Sequence, residues 1–194
     1  MSVETPEDIS PRLAYTPILE TERLILRPLS IHDAKAVYNG WAGNPETTRF
    51  MGWPCHENIK TTEEWLTAER RAIDDRSNYN FGFVFKGNAQ LIGSGGIHYG
   101  IDGNHFSIGY IINKDYWNKG IVTEAMRCIM AFGIDTLGIE KFHVFHAIDN
   151  PASGAVAKKL GFAFTKESSF KSNDGLRSFP RYEYILKAKD FIRG

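Results

Sequence analysis

Cysteine is scarce, with only Cys55 and Cys128 in 194 residues. Two thiols so far apart exclude a disulfide framework and a cysteine-based metal site, and they suit a reducing, cytoplasmic setting. An excess of either charge is also missing: 23 basic side chains balance 23 acidic ones, for a formal net charge of zero at pH 7. Without a net positive field nothing steers the chain to nucleic acid, so no such partner is expected. No apolar run reaches the roughly 18 residues that span a bilayer. Residues 1–17 carry Glu4, Glu7 and Asp8 where a signal peptide carries basic residues, so neither membrane insertion nor secretion is expected. What is present is 42% hydrophobic and 13% aromatic residues, enough for the core of one globular domain of this length.

Residues 1–17, with Pro6, Pro11 and Pro17, read as an N-terminal arm. Leu24 and Leu26 alternate with Ile25 and Arg27 in a strand that Pro28 ends. Ser30, with Asp33 three residues on, opens a helix running to about Gly40. Residues 42–60 form a long apolar loop, and Thr61 with Glu64 makes a capping-box pattern for a second helix to about Asp74. Strands Asn80–Phe85 and Gln90–His98 make a hairpin, and a turn at Asp102-Gly103-Asn104 leads into strand His105–Ile112, with Phe106, Ile108, Tyr110 and Ile112 on one face. Val122, Ala125, Met126, Ile129, Met130 and Gly133 carry the helical period to about Thr136. Strand Phe142–Ala147 follows, then helix Ala152–Leu160 behind Asn150-Pro151, and strands Phe162–Phe170 and Phe179–Lys187. The order predicts an α/β (α+β) single domain: a mixed, mostly antiparallel sheet of about seven strands flanked by about four helices.

The segment from His105 through Gly120 into the next helix is the informative one. A helix N-terminus presents unpaired N–H groups and a positive dipole end, so a glycine-containing turn there can wrap a phosphate. A strand–turn–helix with no ligand has the same pattern. There is no G-x-x-x-x-G-K-[ST], and Gly93-Ser94-Gly95-Gly96 lacks the helix that a dinucleotide fingerprint needs.

Three separated blocks carry a family resemblance: Thr21-Glu22-Arg23-Leu24-Ile25-Leu26-Arg27-Pro28; Ile108-Gly109-Tyr110 ahead of Tyr116-Trp117-Asn118-Lys119-Gly120-Ile121-Val122-Thr123-Glu124-Ala125; and Asn150-Pro151-Ala152-Ser153 ahead of Lys159-Leu160-Gly161-Phe162. Together they resemble the GNAT N-acetyltransferases, and within them the RimJ/RimL branch of ribosomal-protein N-terminal acetyltransferases, over about Thr21–Lys187 of a domain spanning residues 18–190. The resemblance implies acetyl-CoA as cosubstrate and an amine as acceptor. It implies that the backbone of Tyr110, Ile111 and Ile112 bonds the pantetheine arm, and that the N–H groups of Asn118, Lys119, Gly120, Ile121, Val122 and Thr123 bind the pyrophosphate. Lys119, with Lys158 or Lys159, would add positive charge. Asn150 is either the asparagine that reaches the pantetheine or a plain helix cap. Ser153 either faces the thioester sulfur or is a solvated first-turn residue. Many relatives dimerise, so the resemblance admits a homodimer.

In this family the amine attacks the thioester directly, which calls for a proton acceptor and an N–H donor to the developing oxyanion, expected near Ile112. His105 and Ser107 share one face of their strand and are candidates, beside Ser153, for catalytic roles; several histidines compete to be the base. His143 and His146 are three apart on a strand and point to opposite faces, which is no metal signal. Ser107 stands where the branch often has glutamate, and Ala157 where other branches have an acidic tyrosine. These departures keep open an alternative: a catalytically degenerate acyl-CoA-binding regulatory or interaction module. The acceptor, a protein N-terminal α-amine or a small-molecule amine, is expected between residues 42–60, with Trp53 and His56, and the turn at Ser172–Arg177.

Overall fold

The computed structural model describes residues 15–72, 78–100 and 105–193. The predicted end of the second helix at Asp74, the turn at Asp102-Gly103-Asn104 and most of the predicted arm lie outside them. Within the rest, strands β1 (Leu19–Glu20), β2 (Leu24–Arg27), β3 (Asn78–Phe85), β4 (Gln90–Tyr99), β5 (Phe106–Ile112), β6 (Lys141–Ala147), β7 (Ala163–Lys171) and β8 (Ser178–Lys187) form one sheet, ordered β1-β2-β3-β4-β5-β6-β8-β7. All pairings are antiparallel except β5 with β6. The expected mixed, mostly antiparallel sheet is present, with the two-residue β1 as the extra strand.

The helices are α1 (Ala34–Val37), α2 (Pro45–Thr48), α3 (Ile59–Ala72), α4 (Ile121–Leu137) and α5 (Pro151–Lys159). Two sit where the sequence reading placed only a loop or a different start. Asn44 accepts from the Glu46 N–H ahead of Pro45 and opens α2 inside the long loop. The helix predicted to start at Thr61 starts at Ile59, because Asn58 Oδ1 accepts the Thr61 N–H at 3.1 Å and takes the capping role. The helix predicted to Gly40 runs from a 3-10 turn through α1 into a wider turn ending at Ala42.

Two cores flank the sheet. On one side α4 buries Ile121, Ala125, Met126, Ile129 and Met130 against Phe81, Phe83, Ile97, Phe106 and Ile108. On the other, Val37, Trp41 and Leu66 from the N-terminal helices close over Leu29 and Ile111. Each fully buried side chain of this size contributes about 1.5–3 kcal/mol. Alternation along β5 follows: Phe106, Ile108 and Ile112 join the α4 core while Ile111 joins the other, so Ser107 and Gly109 look toward the α3 side. Among the described residues no helix is long and apolar enough to cross a membrane.

Candidate active site

β5 and β6 pair only at Phe106–Phe142 and Ser107–His143. Beyond Ser107 the two strands part, so residues 108–112 of β5 keep their β4 partners without pairing to β6, and at the end of that stretch the Trp117 indole N–H donates to the Ile112 carbonyl at 3.1 Å. The mouth of that gap holds the first turn of α5. Asn150 Oδ1 accepts the Ser153 N–H at 3.3 Å ahead of Pro151, so the helix-cap reading of Asn150 is realised. The Tyr110 hydroxyl donates to the Ser153 carbonyl at 3.2 Å and ties β5 to α5. Burial pushes that phenol up to about 12, so it stays protonated as the donor.

At the end of β5 the chain makes a 3-10 turn, Lys114–Tyr116, and reaches α4 through two left-handed residues, Asn118 at φ 59° and Gly120 at φ 73°. Gly120 is needed there, since a side chain at that φ is strained. Among the described residues the N–H groups of Asn118 through Thr123 have no hydrogen-bond partner, and α4 has no side-chain cap. Six donors at the positive end of a 17-residue helix are a cradle for a multiply charged anion. The Arg23 guanidinium lies 3.8 Å from where a Gly120 Cβ would stand, and the Lys119 ammonium sits over the Tyr116 ring at 5.2 Å.

The cradle is held from outside. Glu124 accepts from Thr21 Oγ1 at 2.5 Å, from the Arg23 N–H at 2.9 Å and from Arg23 Nε at 2.6 Å, while Arg23 Nη1 donates to the Lys119 carbonyl at 3.0 Å. Burial pushes the Glu124 carboxyl up, but those bonds outweigh it and hold it below its usual range. This clamp joins the first and second motif blocks, a link the sequence reading did not make. A cavity of about 390 Å³ is lined by Arg23, Phe85, Gln90, Tyr116, Lys119 and Ile121, beside the same turn.

The sequence model for the acetyltransferase (GNAT) domain matches residues 23–163. YoaA of Bacillus subtilis (strain 168), an uncharacterised N-acetyltransferase, is 30% identical over 148 residues, 75% of this chain and 82% of that protein. The chain belongs to the GNAT acetyltransferases. YdaF of the same organism, provisionally named a ribosomal N-acetyltransferase, is 30% identical over 109 residues, 55% of this chain and 56% of that one. The fold matches that of the microcin C7 self-immunity acetyltransferase MccE, solved in complex with acetyl-CoA and AMP, at TM-score 0.73 and 20% identity, over 86% of this chain and 93% of that one. GNAT acetyltransferases take acetyl-CoA as cosubstrate, and the cradle and strand gap fit it: donors for a pyrophosphate at one end, a strand edge unpaired with β6 for an amide-bearing arm at the other.

The remaining GNAT candidates separate clearly. Ser107 stands between His98 on β4 and His143 on β6 in register. The His105 ring stacks on His143 at 4.0 Å. His146 is buried, with Nδ1 2.8 Å from the Ala147 carbonyl and Nε2 3.2 Å from the Tyr184 hydroxyl. Ala157 is a core residue at 1% exposure and has no proton to give. His56, expected on the acceptor lip, is instead buried between Trp53 and Trp65 and bonded to Thr62; burial lowers its basicity. The two expected lips do meet. Arg177 donates to the carbonyls of Arg49, Met51 and Trp53 at 3.3, 3.3 and 2.9 Å, and the Asn173 N–H donates to Gly52 at 2.6 Å. Lys158 and Lys159 are exposed in the last turn of α5.

His98 is the residue that sequence reasoning passed over. Hairpin register and strand alternation would have placed it opposite Ser107.

Proposed function

We propose that the chain transfers the acetyl group of acetyl-CoA to a primary amine, with the donor held along β5 and the head of α4. The observation that carries this reading is the juxtaposition of six unpartnered N–H groups at Asn118–Thr123 with the edge of β5 unpaired with β6. The N–H groups of Asn118, Lys119, Gly120, Ile121, Val122 and Thr123 would take the pyrophosphate. The backbone of Tyr110, Ile111 and Ile112 would take the pantetheine arm, with Asn150 and Ser153 at its far side. Acetyl-CoA supplies an activated thioester carbonyl. The protein supplies placement, exclusion of water and the handling of one proton. Local donors suffice for a polyanion, which explains how a chain of zero net charge would hold one.

For the acceptor we favour a protein N-terminal α-amine, as in the RimJ/RimL branch that the three motif blocks resemble; the ribosomal name of one relative supports the same reading. The face that would receive it is the α3 side of β5, beside the joined lips that Arg177 stitches together. The test is thiol release from acetyl-CoA with a panel of N-terminal peptides and small amines, beside calorimetry with CoA. Turnover confined to peptides supports the α-amine. Turnover confined to small amines replaces it with a small-molecule acceptor. CoA binding with no thiol release across the panel would sink the transferase reading in favour of a binding module.

A further inference from the structure

We propose that His98 is the proton acceptor for the attacking amine, held by Asn78 and Glu69 as positioning residues; this rests on the transfer reading above.

The three residues come from different elements and converge on the α3 side of the sheet. His98 Nδ1 is 2.5 Å from Asn78 Oδ1, and Asn78 Nδ2 is 3.4 Å from Glu69 Oε2. Asn80 Nδ2 donates to the same Glu69 oxygen. The carboxylate end accepts, so the Asn78 amide turns its nitrogen to Glu69 and its oxygen to His98. That oxygen can only accept, so Nδ1 carries the ring hydrogen and the neutral imidazole keeps its lone pair on Nε2. Carboxylate, amide and ring thus fix one tautomer.

The lone pair also has a direction. A Cβ built on Gly109 would lie 3.4 Å from His98 Nε2 and 3.6 Å from Cδ2. Nε2 therefore stands over Gly109, on the stretch of β5 that has just left β6 and one residue before Tyr110. Glycine leaves room there for an incoming nitrogen. The other histidines are placed differently: His56 and His146 are buried in packing and hydrogen-bonded, His105 rests on His143, and His32 is exposed on the α1 approach.

In the transfer, the neutral amine's lone pair forms the C–N bond and the C–S bond breaks with its electron pair staying on sulfur, which leaves as thiolate and takes a proton from solvent to become the thiol. The proton lost by nitrogen goes to His98 Nε2 and from there to solvent. Burial holds the imidazole down at about 4, so it is neutral and able to accept. A base that weak does not strip a free ammonium. It takes the proton as C–N bonding makes the nitrogen acidic.

The test uses the full chain. Long-range ¹H–¹⁵N spectra should show His98 as the Nδ1–H tautomer, reverting toward Nε2–H in Asn78→Ala and Glu69→Ala. With the best amine of the panel, His98→Gln should lose about 10²–10⁴-fold in kcat while its CoA affinity and melting temperature stay near wild type, and free imidazole should restore part of the turnover of His98→Ala. Gly109→Ala, which sets a methyl against Nε2, should lower kcat with CoA affinity kept. A wild-type Nε2–H tautomer overturns the relay. A His98→Gln enzyme with unchanged kcat overturns His98 alone, whereas a wild-type chain that binds CoA and releases no thiol overturns the transfer and His98's part in it together.

Discussion

The head of α4 follows the end of β5 and the His98 group lies over the α3-side face of the same strand, yet they are built from different parts of the chain. At α4 the proposed binding groups are backbone N–H donors, and the side chains nearby, Arg23 and Glu124, hold the turn. On the α3 side the groups are side chains, Glu69, Asn78 and His98, carried there by three elements. A backbone site tolerates changes of residue type provided the turn survives. A side-chain site has no such tolerance, and it is where members of one fold diverge in acceptor.

The contrast can be broken from either end. The largest effect is expected at the ion pair that anchors the α3 half: Arg27 grips Asp33 at 2.9 and 2.7 Å, and Asp33 also accepts the Ser30 N–H at 2.7 Å. Asp33→Ala strands a guanidinium that is one-third exposed and should cost about 3 kcal/mol in urea unfolding. Loss of CoA affinity in the variant under folding conditions would show that the two halves are not separable.

Next comes the donor cradle. Proline at Gly120 or Asn118 would remodel the turn, because its φ of about −65° cannot match their positive values. Val122→Pro instead removes one N–H in the first helical turn, where proline is tolerated. It should weaken CoA binding roughly 10- to 100-fold by calorimetry, the worth of one hydrogen bond to a charged group, and shift the melting temperature by only a few degrees. Unchanged affinity would refute the placement of the pyrophosphate.

The smallest effect is expected at the clamp. Glu124→Gln should cost about 1 kcal/mol after allowing for solvent at Arg23, which is 37% exposed. Glu124 and Asp33 are both held below their ordinary carboxylate values, although burial pushes each of them up. Their contribution is therefore complete above the unfolded value of roughly 4 and lost as pH falls through the lower folded values. Acid unfolding of Glu124→Gln should show a shallower fall in stability below about pH 4 than wild type; an unchanged slope would remove Glu124 from the account.

Much of the fold was legible where the signal is local. The buried stripe of α4, the alternation along β5 and the Asn150-Pro151 cap appear where their few-residue patterns put them. The same Asn-Pro signal at Asn44-Pro45 is equally readable, and it marks a helix inside the long apolar loop. Asn58 outcompeted Thr61 as a cap because an asparagine side chain three residues ahead of the Thr61 N–H reaches it directly. His56 looked like a lip residue because loop position says nothing of burial; the two tryptophans around it decide that.

The sequence by itself determined the strand–turn–helix proposed to hold the cosubstrate's pyrophosphate and the neutrality that makes such a local device necessary. Caps, glycine φ preferences and helical period act within a few residues, so they can be read along the chain. Only the tertiary structure decided that Glu124 clamps Arg23, that Arg177 stitches two distant loops, and that Glu69, Asn78 and His98 form one line. Those contacts depend on strand register and helix packing across long sequence separations, where a shift of one residue turns a side chain to the opposite face.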